Sequence, residues 1–397
     1  MRALFTSIPT SGHVHPLLPL ADALREAGHE VAFACAPSLR PSVAAYGFES
    51  FGVSLNRDGD GNAEFDALKK KARALKPGFE LDKLGIADVI YGVRTRQMLP
   101  GLLEVGKSFA PDLFVHECFE AGAAIVGDRL GIPHVSVDIM PLFDRQPMQS
   151  AIDAELARAR AMVDLPPDPE MLTRGLVLSF VPPGLLDPEL PRPEHLELLR
   201  PTFFDRSGDE GLPAWFENRP DRPLVYVTVG TVANRWRSDA GSLMQTIIDG
   251  LRDEPIEVVA TIGREGNPED LGPQPDNVHI ERYIPQSLLL PHCDVCVSHA
   301  GFSTLLSSID NGIPQLLVPQ LVDDPFNAAR CQAVGIGLNE DPSTLTSDRV
   351  RTAARRLLDE PSFRREAQAM QTQMHELPGL DHAVRRLESL AATGSLG

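Results

Sequence analysis

The chain has 397 residues, 43% of them hydrophobic and 23% charged, and a formal net charge of −18. That length predicts two sizeable cores, and no apolar run approaches the roughly 20 residues that span a bilayer, so membrane insertion is excluded. So acidic a surface repels phosphate backbones and anionic headgroups and argues against nucleic acid or membrane partners, yet it leaves room for a small anionic ligand in a locally positive pocket.

The first eight residues carry one basic side chain and soon meet Pro9 and Gly12, unlike a secretory signal. The strand Ala3 to Ile8, a glycine-bearing loop, a helix from about Pro16 to Ala27 and the strand Val31 to Cys35 form a βαβ unit. Leu17, Leu20, Ala21 and Leu24 give the helical spacing, and Gly28 the stop. Such a unit implies a parallel sheet with a right-handed crossover. The rhythm returns at Asp112 to His116, a helix over Ala121 to Leu130, and the strand His134 to Val137. Residues 55–85 are charged with little periodicity, and 140–172 mix Met, Phe and Pro with a helical patch at Ile152–Met162. Both read as insertions, and loops on a rigid α/β scaffold carry specificity.

From about Arg200 to Arg222 the chain is rich in Pro, Asp and Gly, which predicts a linker. A second doubly wound domain follows. Its elements are the strand Leu224 to Val229, a helix over Ser242–Leu251, and strands at Glu257–Ile262, Val278–Ile280 and Val295–Ser298. A helix from about Ser303 and the strand Gln315–Val318 complete it. The predicted layout is therefore a first domain over 1–205, a linker over 206–221 and a second domain over 222–375, with a charged, helical stretch at the C-terminus. Two such halves facing each other would place a ligand cleft at the carboxyl ends of their strands.

Two βα loops carry unusual residue sets. In Ser11-Gly12-His13-Val14-His15-Pro16, glycine permits close approach of a ligand, and an imidazole can accept a proton near neutral pH. The loop lacks the Gly-x-Gly-x-x-Gly of a dinucleotide site, which counts against a dehydrogenase. In His299-Ala300-Gly301-Phe302-Ser303-Thr304, small residues, hydroxyls and helix-start amides could cradle phosphate oxygens, although an ordinary helix capped by Ser303 would read the same way. Pro319-Gln320 and Asp323-Asp324-Pro325-Phe326-Asn327 follow the next strand, and an acidic pair there suits the hydroxyls of a sugar carried by the phosphate. Cys293-Asp294-Val295-Cys296 has metal or redox spacing, but on a strand the two sulfurs would face opposite ways, and no second pair completes a zinc site. Five scattered cysteines suit reduced thiols in a cytoplasm.

The span from Tyr283-Ile284-Pro285-Gln286 through His299-Ala300-Gly301 and Gly312-Ile313-Pro314 to Pro319, Asp323 and Asn327 resembles the nucleotide-diphosphosugar motif of glycosyltransferase family 1. With Gly12-His13, the resemblance is to the actinobacterial branch that decorates antibiotics and other natural products. It covers essentially the whole chain, closely over 280–340 and more loosely over 55–110 and 140–215. The resemblance implies the GT-B fold, with two Rossmann-like doubly wound domains facing across a deep cleft, an acceptor domain over 1–205, a donor domain over 222–375 and a C-terminal helix, 376–397, that returns to the first domain. It also implies inversion at the anomeric carbon without a metal or any other cofactor. His13 matches the family's general base, and Glu117 matches the acidic residue that orients it, with Glu120 as the fallback.

By the same resemblance Tyr283 takes the place of the aromatic that stacks on the nucleobase. The backbone of Ile284 would meet the base edge, with Gln286 nearby. Gly12, Gly301 and Phe302 belong to the loops that approach the donor. His299, the amides of Ser303 and Thr304, and Thr231 would meet the diphosphate, and Asp323 and Asp324 the sugar hydroxyls. Two departures matter. Asp324 stands where the family has Gln, which suggests an amino- or deoxysugar. Ser307 stands where plant relatives carry a ribose-gripping Glu, which favours dTDP over UDP. The apolar stretch Met140, Leu142, Phe143 and Met148 suits a hydrophobic small-molecule aglycone. An epimerase of the same architecture and a non-catalytic nucleotide-sugar-binding accessory protein are the rival readings. A homodimer is compatible with all three.

Overall fold

A computed structural model describes the chain apart from residues 57, 77, 204, 206–209, 231–239, 265, 321–322 and 395–397, with the backbone alone at 240–241. Thr231 therefore lies outside the described residues. The chain divides into two compact units. The first comprises Met1–Phe180, Leu190–Phe204 and Pro378–Gly397, and the second Val181–Glu189 and Asp205–Leu377.

The first unit is built on a seven-stranded parallel sheet of β1 (Arg2–Thr6), β2 (Glu30–Cys35), β3 (Glu49–Gly52), β4 (Leu113–Glu117), β5 (His134–Asp138), β6 (Val177–Ser179) and β7 (Leu196–Leu198). Its spatial order is β3-β2-β1-β4-β5-β6-β7. The strands of its centre are continuous apolar runs because helices cover both faces: Leu4, Phe5, Phe33 and Phe114 are fully buried. The order reverses between β1 and β4, whose residues Thr6 and His116 lie side by side. In a doubly wound sheet, that reversal opens a crevice at the carboxyl ends of the two strands.

The second unit repeats the plan with β8 (Leu224–Thr228), β9 (Glu257–Thr261), β10 (Val278–Glu281), β11 (Val295–Ser298), β12 (Gln315–Leu317) and β13 (Gly337–Asn339), in the order β10-β9-β8-β11-β12-β13. Here the reversal lies between β8 and β11, where Thr228 pairs with Ser298. Val225, Val227, Val258, Val295 and Val297 form its main core with the helix Ala240–Leu251 and the helix Ser347–Asp359.

Val181–Glu189, which the sequence reading placed with the first half, groups with the second. The Arg330 guanidinium donates to the carbonyls of Gly184, Leu185 and Leu186 at 3.2, 2.9 and 2.8 Å, and the amide of Gly184 donates to Gln373 at 2.8 Å. The helix Leu380–Thr393 packs on the helix Leu18–Glu26 of the first unit. Ala383, Leu387 and Leu390 are its buried stripe, and Arg386 donates to Glu197 at 2.6 Å beside it. Residues 55–85 are not simply a loop. They contain the helix Ala63–Ala72, in which the Asn62 side chain accepts the Phe65 amide, acids open the first turn and lysines close the last. The short strands β3, β6, β7 and β13 were not anticipated; β3, β7 and β13 lie at sheet edges, partly exposed and without the continuous apolar run that marks the central strands. Cys293 and Cys296 both pack into an apolar cluster with Leu289, Leu290 and Ile313.

Candidate active site

In the first unit the loop after β1 turns at once into a four-residue helix, Ser11–Val14, that carries Gly12 and His13. Glu117 is the last residue of β4, so the topology alone puts the two side by side at the strand-order reversal. His13 Nδ1 lies 3.1 Å from Glu117 Oε2, with 12% of the His13 side chain exposed and none of the carboxylate. The approach is off the line of a good hydrogen bond, as is common before a substrate closes such a site.

Glu117 is itself held from two sides, Oε1 accepting the Ile8 amide at 3.1 Å and Oε2 that of Phe119 at 2.8 Å. Burial pushes this carboxyl up, but His13 and those amides outweigh it and hold it below the ordinary value. Glu117 is therefore an anion fixed against Nδ1. The carboxylate favours the tautomer with its proton on Nδ1, which leaves Nε2 as the basic nitrogen. Glu120 faces elsewhere. It accepts the Thr6 hydroxyl and the amides of Gly122 and Ala123 at the start of the helix Gly122–Leu130. Burial raises it to about 7. The fallback partner is thus a helix anchor, and the carboxylate beside His13 is Glu117.

Phe119 connects this pair to the apolar insertion. Its ring lies 5.9 Å from that of His13, 5.8 Å from Tyr91 and 6.2 Å from Phe143, and the Arg145 guanidinium sits over it at 5.0 Å. Tyr91 belongs to the π-helical stretch Leu84–Arg94, a rare geometry frequent at functional sites, and donates its hydroxyl to the Cys118 carbonyl at 2.8 Å. Arg145 and the π-helical turn were missed by sequence reasoning, since nothing in their local pattern marks a tertiary contact with residue 119.

In the second unit His299 follows β11, and its ring is slotted between two glycines. A Cβ on Gly230 would stand 2.6 Å from the ring, and one on Gly301 would overlap Nε2 outright. Ala300, between His299 and Gly301 in the chain, adopts φ +67, a left-handed conformation that a side chain rarely tolerates. It is braced there by the Asn327 amide, which donates to the Ala300 carbonyl at 3.0 Å and to Asp323 at 2.8 Å. Burial drives the His299 imidazole down to about 4, although the Asp323 carboxylate pulls it upward. His299 therefore stands neutral at ordinary pH, a hydrogen-bond donor and not a cation.

The helix Phe302–Asp310 begins with Gly301 at its cap and no side-chain cap, so Ser303 does not cap it. The first amide used inside the helix is that of Leu305, to the Gly301 carbonyl at 3.0 Å. The amides of Phe302, Ser303 and Thr304 remain for an anion. Asp323 and Asp324, both nearly buried, open the helix Asp324–Ala333.

Tyr283, Ile284 and Gln286, which the resemblance sets at the nucleobase, are engaged with other parts of the second unit. Gln286 turns its amide onto the Thr304 hydroxyl at 3.1 Å and the Tyr226 hydroxyl at 3.4 Å. Ile284 is in the core. Tyr283 donates its hydroxyl to the Asp205 carbonyl, and the Arg264 guanidinium covers one face of its ring at 3.8 Å. A nucleobase stacking on Tyr283 must use the other face or displace Arg264.

Residues 245–390 match the family described as Erythromycin biosynthesis protein CIII-like, C-terminal domain. L-demethylnoviosyl transferase of Streptomyces niveus is 30% identical over 345 residues, 85% of each chain. 10-Deoxymethynolide desosaminyltransferase of Streptomyces venezuelae is 27% identical over 422 residues, 99% of this chain and 97% of its own. Two solved structures superpose at a TM-score of 0.78. Spinosyn forosaminyltransferase SpnP is 28% identical and covered over 99% of both chains. Glycosyltransferase VinC in complex with dTDP is 26% identical, with 99% of this chain and 100% of its own covered.

Proposed function

This chain belongs to the family of actinobacterial natural-product glycosyltransferases, and from that premise we propose that it moves a deoxysugar from a dTDP-sugar to a hydroxyl of a hydrophobic aglycone, with inversion at the anomeric carbon. The second unit holds the donor. His299 and the amides of Phe302, Ser303 and Thr304 meet the diphosphate, Asp323 and Asp324 the sugar hydroxyls, and Tyr283, Ile284 and Gln286 the side of the base. The first unit receives the acceptor against Phe119 and Phe143.

The step is an in-line displacement. His13 Nε2 takes the proton of the acceptor hydroxyl as its oxygen forms the bond to the anomeric carbon, and the bond from that carbon to the diphosphate oxygen breaks, releasing dTDP. An α-linked donor thus gives a β-type linkage. Glu117 stabilises the imidazolium formed in passing, worth about a hundred- to ten-thousandfold together with the base. Charge growing on the leaving diphosphate falls on fixed helix amides and the His299 N–H, which need not reorganise during the reaction. With that charge met by the protein, the step calls on no metal.

The dTDP preference is supported by Ser307, too short to grip two ribose hydroxyls, and by the bound nucleotide of VinC. The observation that carries the reading is the His13–Glu117 pair at the strand-order reversal. Its test is product analysis with a panel of dTDP- and UDP-sugars and of polyketide and aromatic aglycones. The expected product has the mass of aglycone plus sugar less water, formed with stoichiometric dTDP. Epimerised donor, or donor binding with no turnover across the panel, would overturn it.

A further inference from the structure

We propose that Gln320 is a specificity-determining residue of the donor site, the amide that reads the sugar in place of the Gln that Asp324 replaces. The proposal rests on the donor-site reading above and adds a residue to it. β12 ends at Leu317, and the next amide, that of Val318, donates to the Ser298 carbonyl at 2.8 Å. The loop bearing Gln320 thus leaves the sheet beside the loop bearing His299. Further on, the Gln320 backbone amide donates to Asp324 Oδ2 at 3.1 Å. Gln320 is thereby tied to the start of the helix that carries both acidic residues.

Its side chain has no such tie. Nε2 and Oε1 are both buried and unpartnered, although a primary amide has two protons to donate and two lone pairs to fill. Three other amides in this unit have one buried atom unmet and the other in use. Asn327 donates to Ala300 and Asp323, Gln315 donates to the Leu305 carbonyl at 3.4 Å, and Gln274 to that of Leu271 at 2.6 Å. Among the described residues Gln320 alone has both amide atoms buried and unmet. Folding gains nothing from such a group, and an apolar side chain of similar size would cost less.

A ligand that presents both a donor and an acceptor resolves the anomaly, and a sugar hydroxyl is such a ligand. Two carboxylates can only accept from it. The amide supplies the complementary donor to its oxygen. Asp323, Asp324 and Gln320 together offer what the family's Asp-Gln pair offers, with the amide moved four residues back along the chain.

The test measures the gain in affinity that the sugar adds to the nucleotide. Dissociation constants of dTDP, dTDP-α-D-glucose and dTDP-β-L-rhamnose are compared in the wild type and in Gln320→Leu, with the melting temperature of each free protein. In Gln320→Leu the sugar's contribution should fall about tenfold for whichever sugar binds best. Affinity for dTDP itself and the melting temperature should hold, or the latter rise. Gln320→Asn, which keeps the amide on a shorter stem, should lose less. An unchanged sugar contribution overturns the proposal. So does an equal loss for dTDP, or a free protein that melts lower or fails to fold, because the amide would then serve the fold. A wild type that binds none of the three probes overturns the donor-site reading itself, a result distinct from all of these.

Discussion

Each unit places a histidine at its strand-order reversal, one beyond β1 and the other beyond β11, the counterpart of β4, and the two stand in opposite electrostatic settings. His13, beyond β1, faces a buried carboxylate that two amides keep ionised. His299, beyond β11, is wedged between Gly230 and Gly301, and burial leaves it uncharged at ordinary pH. On the function proposed above, His13 as a base becomes a cation in passing with an anion beside it, whereas His299 offers a diphosphate the fixed proton of a neutral ring. The fold decides where an imidazole stands, and its neighbours decide which chemistry it performs.

The contrast is broken most severely at His13. His13→Ala should lower kcat by about 10² to 10⁴ while leaving the donor's Kd unchanged, measured by steady-state turnover and calorimetry. Glu117→Gln should show a smaller loss of the same kind, because the ring keeps its place but loses the anion behind it. Equal effects on donor binding would show that this pair belongs to the donor site.

Gly301→Ala tests the other histidine. The added Cβ overlaps the His299 ring and must displace it, so affinity for dTDP should fall roughly tenfold, with little change in the first unit's pair. A dTDP titration that superposes on the wild type would detach His299 from the diphosphate.

The smallest effect sharpens the division of labour between the two acids after β4. Glu120 keeps its proton up to about pH 7 in the folded chain, against an ordinary value of 4.5. The unfolded chain releases that proton first, so stability declines as pH rises from about 4.5 to 7, and the loss is complete above 7. Glu120→Gln removes this dependence. Its melting temperature relative to wild type should be higher by a few degrees at pH 8 and by less at pH 5, read from thermal melts. The opposite order would place an ionised carboxylate at residue 120.

Much of this protein was legible in one dimension. Continuous apolar runs such as Leu224 to Val229, each followed by a helical period, dictate parallel sheets, because strands buried on both faces have no polar side to display. The same local logic exposed His13 and the His299 loop, since βα loops of doubly wound units bear function wherever the strand order reverses. The edge strands β3, β7 and β13 and the short β6 escaped, and so did the helix Ala63–Ala72, whose signals lie in its caps and charges. What only the tertiary structure decided is partnership. That Glu117 and not Glu120 faces His13, that Arg264 lies on Tyr283, and that Gln286 spends its amide on Thr304 while Gln320 spends its own on nothing, depends on contacts between residues far apart in the chain. A hydrogen bond is a matter of a few tenths of an ångström and a few tens of degrees. Spacing along a sequence specifies the face of an element, and the packing of elements specifies the angle.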